Sequence, residues 1–452
     1  YDWVVSFDLN SLYPHLIMQY NISPETLQDT RHPSATVDKI LNEELTFEMY
    51  KDNAVCANGA MYRKDVRGFL PELMELIYDE RKIYKKKMLA AKQAYEKTPT
   101  KKLEKEIARC NNIQMARKIQ LNSAYGAIGN QYFRYYKLAN AEAITLSGQV
   151  SIRWIENRMN GYLNKLLQTE SVDYVIASDT DSIYLNLGPL VDKFLSSRSG
   201  DKTKVVELLD KVCQDKLEPF IERSYSELAN YVQAYEQKMI MKRENIAERG
   251  IWTAKKRYIL NVWNSEGVQY SEPKLKVMGI EAVKSSTPAP CRQMIKDGLK
   301  LMMNGTEEDV IEFIDKCRVE FKALPPEQIA FPRTVSDVRK YHSHSSIYSK
   351  GTPIHARGAL LFNHYIKDKK LTNKYSLIAN GEKIKFLYLK KPNIIQENVI
   401  SFIQDFPHEL GLDKYIDYDL QFEKSFVEPL KAILDAIGWN VEKTVNLELF
   451  FA

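Results

Sequence analysis

The stretch SDTDSIYLNL, residues 178–187, decides how the rest of the chain is read. With the apolar VDYVIA before it, it has the pattern of a β-hairpin over residues 173–187: apolar strand, polar tip, apolar strand. Asp179 and Asp181 occupy the tip. A lone Asp-x-Asp carries little weight, because Asp favours turns for local hydrogen-bonding reasons. A third acid adds to it. Residues 3–8, WVVSFD, read as a short buried strand ending on Asp8. Carboxylates at strand ends can converge on one end of a sheet even when 171 positions lie between them, as between Asp8 and Asp179. Mg²⁺, a hard octahedral cation, prefers such oxygen ligands and keeps positions open for substrate phosphate. Two such ions, about 3.5–4 Å apart, would stabilise both the attacking and the leaving oxygen of an in-line phosphoryl transfer.

Cations fall in a matching pattern. Residues 70–94 read as a helix with Pro71 near its first turn, Thr98-Pro99-Thr100 breaks it, and a second helix follows over 101–125. Positions 79–118 of this helical hairpin hold 13 Lys or Arg against 5 Asp or Glu. That local excess is larger than the +5 of the whole chain, and it suits a polyphosphate or nucleic acid. Arg81 and Lys85 are four apart on one arm, with Arg offering a bidentate fork to phosphate. On the other arm, in KIQLNSAYG, the spacings of four and three put Lys118, Asn122 and Tyr125 on one face. Taken alone, each set also reads as ordinary solvated helix charge. A long helix over 140–167 and a helical region over 202–238 follow. The segment KKRYILNVW, 255–263, has the composition of a strand. Its Lys255-Lys256-Arg257 run beside Tyr258 is unusual there unless an anion lies alongside.

The 452 residues suggest roughly three domains at about 150 residues each. At 44% hydrophobic and 27% charged, the chain has apolar mass for several cores. No apolar run reaches the roughly 18 residues that span a bilayer, so no membrane partner is expected. Cys56, Cys110, Cys213, Cys291 and Cys317 include no CxxC pair, which argues against zinc or iron–sulfur sites and for reduced thiols in a cytoplasm. The composition shifts to mixed helix and loop after Ser285-Ser286-Thr287-Pro288, where a domain boundary is expected.

Together these segments resemble the B-family DNA polymerases. SFDLNSLYP is similar to motif A, KIQLNSAYG to motif B, SDTDSIY to motif C, and Lys255–Tyr258 to the KKRY primer-binding motif, in the family's order and spacing. NISPET at 21–26 and KSSTP at 284–288 look closest to the T-even bacteriophage and related cyanophage replicative enzymes. The resemblance implies an α+β right-hand fold with an antiparallel β-sheet palm, helical-hairpin fingers and a mostly helical thumb. It places palm at 1–67 and 131–283, fingers at 68–130 and thumb at 284–452. It also implies template-directed addition of deoxynucleotides to a primer 3′-hydroxyl, with two Mg²⁺ ions for which Mn²⁺ can substitute. Asp8 and Asp179 would bind the metals with the Leu9 carbonyl, and Asp181 would be an accessory acid. Ser11, Leu12, Tyr13, Arg81, Lys85, Lys118, Asn122 and Tyr125 would hold the nucleotide. Tyr13 would be the steric gate under the deoxyribose, though beside Leu12 and Pro14 it also reads as a core Tyr. Lys255, Lys256, Arg257 and Tyr258 would contact primer-template DNA.

The apolar end of NLELFFA, with Leu447, Leu449, Phe450 and Phe451, is similar to a sliding-clamp-binding tail; a terminal segment packed on the thumb is the alternative. Departures are visible too. Ser178 stands where the family usually has Gly, and Lys242 in MKRE stands where close relatives carry an acid, which puts a metal-proximal Glu244 in doubt. The chain opens on Tyr1, with only seven residues before Asp8, so it is expected to be part of a longer or split polypeptide. A proofreading exonuclease would then be supplied by another chain or segment, and a virus would place the enzyme in its bacterial host's cytoplasm. Two rivals remain. A reverse transcriptase or RNA polymerase palm fits less well, because Thr180 separates the hairpin acids and Tyr13 opposes ribonucleotides. A DNA-binding scaffold without catalysis would gain nothing from paired carboxylates beside phosphate.

Overall fold

The computed structural model describes residues 1–194, 201–341 and 346–442. The expected clamp-binding residues Leu447, Leu449, Phe450 and Phe451 lie outside them. The chain forms two compact units: residues 1–250 with 260–274, and 251–259 with 275–452. Both mix helix with antiparallel sheet. No helix among the described residues is long and apolar enough to cross a membrane.

The first unit is built around a six-stranded sheet. Its strands are β1 (Asp2–Leu9), β2 (Val175–Ser178), β3 (Ser182–Asn186), β4 (Met241–Ala254), β5 (Arg257–Ser265) and β6 (Val268–Met278), in the order β2-β3-β1-β4-β5-β6. The far ends of β4, β5 and β6 belong to the second unit. β1 is central, with antiparallel neighbours on both sides, and its near-continuous apolar run suits a strand covered on both faces. Val5, Phe7 and Leu9 pack in one core with Leu16 and Ile17 of α1 (Leu12–Tyr20).

Two long antiparallel helices, α2 (Phe69–Lys97) and α3 (Lys101–Ile128), make the basic hairpin. Met74, Arg81 and Met88 are buried at a seven-residue spacing on α2, facing buried Cys110, Gln114 and Leu121 of α3. The break at Thr98-Pro99-Thr100 ends in a cap, where the Thr100 hydroxyl accepts from the Leu103 amide at 3.2 Å. The next long helix, α4 (Leu138–Leu167), buries Ile144, Ile155 and Leu163 in the same core.

The second unit packs the helices Ala289–Asn304, Glu307–Lys322 and Ile354–Asp368 with a three-stranded antiparallel sheet whose middle strand is Lys383–Tyr388. Phe321, Phe422 and Phe426 are fully buried in its core.

Two sequence-based boundaries shift. The helical region expected to reach 238 ends at Tyr231. The strand expected over 255–263 runs instead from Arg257 to Ser265. Lys255 and Lys256 form the turn before it, and Lys256 adopts a left-handed φ of 62° that a strand cannot hold.

Candidate active site

The hairpin acids meet Asp8 through strand register. Asp8, the last residue but one of β1, lies opposite Ser182 on one side and Lys242 on the other. The Leu9 amide donates to the Asp181 carbonyl at 2.7 Å and the Asn10 amide to the Ile240 carbonyl at 2.9 Å, which fixes the chain as it leaves the sheet. Ser11 then takes a left-handed conformation, φ 47°, as the N-cap of α1, and this turn brings Tyr13 into the same cavity.

That cavity is about 460 Å³ and gathers most of the expected residues. Asp8, Leu9, Ser11, Leu12, Tyr13 and Asp181 come from the sheet and α1; Arg81 and Lys85 from α2; Lys118, Asn122 and Tyr125 from α3. Asp179 is not in its wall. Its carboxylate accepts from the Thr180 amide at 2.8 Å, while Thr180 and Asp181 face the cavity. Tyr13 and Tyr125 sit ring to ring, with centroids 4.5 Å apart and planes tilted by 44°.

Electrostatics make the acid end a strained assembly of like charge. The Asp8 carboxyl is pushed up to about 7, by burial first and then by Asp181 and Glu244, against the pull of Lys85 and Lys118. Asp181 is also raised, by burial first and then by Asp179, with Lys118 opposing. No three acid, His or Cys side chains among the described residues already stand close enough to enclose a cation. The donor set nonetheless suits a hard divalent ion: buried, mutually repelling carboxylates would be returned to the charged form by one beside them.

The cation end is already engaged. Arg81 is only 8% exposed, donates to the Ser11 hydroxyl at 2.7 Å, and has its charged form disfavoured chiefly by burial. Its buried Nε lacks a hydrogen-bond partner among the described residues. Lys85 pairs with Glu266.

Glu244 and Glu266 are the residues that the sequence reading missed or doubted. Both line the cavity. Lys242 does not displace Glu244, because its ammonium reaches Glu218 at 2.6 Å instead. Ser178, the other departure, spends its hydroxyl on Glu156 of α4 at 3.1 Å. The only sequence signal for Glu266 was the turn-forming Asn264-Ser265-Glu266-Gly267.

The Lys255–Tyr258 group lies in the second unit. Lys255 and Lys256 are exposed, Arg257 forms a two-pronged ion pair with Glu281 at 2.8 and 3.1 Å, and Tyr258 is buried and stacked on Trp252.

Residues 1–204 match the family described as DNA polymerase family B. It is 34% identical to the DNA-directed DNA polymerase of Escherichia phage RB69 over 99% of this chain and 55% of that protein. It is 32% identical to the DNA-directed DNA polymerase of Enterobacteria phage T4 over the same shares. A more distant relative, at 24% identity over 97% of this chain and 46% of its own length, is the DNA polymerase of Pyrococcus glycovorans. The chain therefore spans about half the length of the curated relatives it matches.

Proposed function

We propose that this chain carries the polymerising core of a template-directed DNA polymerase, extending a primer 3′-hydroxyl with deoxynucleotides and releasing pyrophosphate. One observation carries the reading: a single cavity sets Asp8, Asp181 and Glu244 against Arg81, Lys85 and Lys118. That opposition suits a substrate that brings both metal and polyphosphate. DNA binding alone would be weakened by the same carboxylates.

In this reading Asp8, Asp179 and the Leu9 carbonyl would hold two Mg²⁺ ions, with Asp181 beside them. When bound, such ions acidify the attacking hydroxyl and neutralise charge on the leaving group. The chain's own residues do the positioning. Arg81, Lys85, Lys118 and Asn122 bind the triphosphate, and Tyr125 lies against the nascent base pair. Tyr13, braced by Tyr125, lies under the sugar and takes the space of a 2′-hydroxyl. Positioning and electrostatics supply most of the acceleration in transfers of this kind. The palm, fingers and thumb would be residues 1–67 with 131–283, 68–130, and 284–452, with Lys255–Tyr258 on the primer strand and the C-terminal residues on a sliding clamp.

The test is extension of a primed template with Mg²⁺ and four dNTPs, run beside Asp8→Ala. Extension lost in the variant supports the reading. DNA binding without extension by the folded native chain would favour the scaffold.

A further inference from the structure

The turn between β5 and β6 carries an acid into the cavity. Its central residues, Glu266 and Gly267, have φ of 50° and 87°, the left-handed pair of a two-residue hairpin turn. Three hydrogen bonds hold it. The Glu266 amide donates to the Glu244 carbonyl at 2.6 Å, and the Gly267 amide donates to Asn264 Oδ1 at 3.2 Å. The same Oδ1 accepts from buried Arg243 at 2.6 Å. From this fixed tip the Glu266 carboxylate pairs with Lys85, at side-chain exposures of 31% and 26%. Its charge also reaches Arg81. The adjoining strand holds the same helix further along, through the Gln269 amide to Gln93 at 3.0 Å and a Lys274–Glu96 pair.

We infer that Glu266 is a counter-ion that competes with the incoming polyphosphate for Lys85. This rests on the reading of Lys85 as a phosphate ligand. An entering anion exchanges one carboxylate for its own charge, so only a highly charged ligand gains much from the exchange. A triphosphate displaces Glu266; a pyrophosphate does so less well. Glu266 thereby sharpens preference for the triphosphate and weakens retention of the product. Displacement also releases one of the tethers between the β5–β6 hairpin and α2, which couples ligand entry to freedom of that helix.

The test is calorimetric titration of the whole chain, in Mg²⁺ buffer, with inorganic tripolyphosphate and with pyrophosphate. Glu266→Gln keeps the shape and removes the charge. It should bind tripolyphosphate about fivefold more tightly, the upper range for a partly exposed ion pair. Pyrophosphate should gain more, narrowing the preference. In a Lys85→Ala background the gain should vanish. Unchanged, weaker or undetectable binding in Glu266→Gln would overturn the inference, and so would a gain that survives without Lys85. Primer extension is scored separately. The binding pattern without extension would retain the counter-ion and remove the polymerase reading, and extension without the pattern would do the reverse.

Discussion

Asp8 lies near the end of a buried strand with its carboxyl pushed up to about 7, with burial the largest cause and Asp181 and Glu244 adding to it. Because the folded value is raised above the ordinary 3.8, the native state holds more protons than the unfolded chain between about pH 4 and 7. Stability therefore falls as pH rises through that window, and the full penalty applies above 7. In EDTA, Asp8→Asn should raise the melting temperature at pH 8 by about 2–4 °C for each kcal/mol relieved. The gain should fade by about pH 4; thermal scans showing an equal increment at both pH values would reject the electrostatic account. Tyr13 tests the neighbouring subsite. Tyr13→Ala removes the ring braced on Tyr125 and should relax discrimination against ribonucleotides by about 10²-fold in single-turnover incorporation. Unchanged sugar selectivity would leave Tyr13 as packing. At this scale the sequence was informative where spacing alone brings groups together, as for Lys118, Asn122 and Tyr125 on one helix face. It was silent on Glu266, which reaches the cavity through strand pairing and a two-residue turn. The resemblance made Asp179 a metal ligand and Asp181 the accessory acid, whereas Asp181 lines the cavity and the Asp179 carboxylate accepts from the Thr180 amide.

Elements with a strong period or a clear break were legible: α2, α3 and α4 agree with the sequence within about three residues. The Lys255–Lys256 turn was not, because aromatic and β-branched content marks the strand that follows and says nothing of backbone handedness. That turn depends on close approach. Gly279, at φ 67°, lies so near the Lys256 carbonyl that an added Cβ would collide with backbone oxygen, which has no rotamer to yield. Gly279→Ala should displace Lys255 and Lys256. If these contact the primer, the Kd for primer-template by fluorescence anisotropy should rise about tenfold, with tripolyphosphate affinity unchanged. Retained DNA affinity, with a shifted turn confirmed by hydrogen exchange, would move primer contact elsewhere.

The division of the whole molecule was hard to read because the chain passes between its units along strands rather than through a linker. β4, β5 and β6 each contribute residues to both units, so no Gly- or Pro-rich stretch marks the crossing. Each unit nonetheless closes its own apolar core, and the cavity's lining belongs wholly to the first. Separate cores predict separable stability. Phe426 is fully buried, 5.0 Å from the Phe422 ring, which in turn lies 5.1 Å from Phe321. Phe426→Ala should destabilise the second unit by about 3–5 kcal/mol through lost transfer energy and the cavity left behind. Hydrogen exchange should then accelerate in Ala289–Asn304 and Glu307–Lys322, while β1 and α4 keep their protection and the cavity keeps its tripolyphosphate affinity. Exchange rising equally in β1 and α4 would mean that the two cores open as one cooperative body, and the shared strands β4–β6 would be the physical reason.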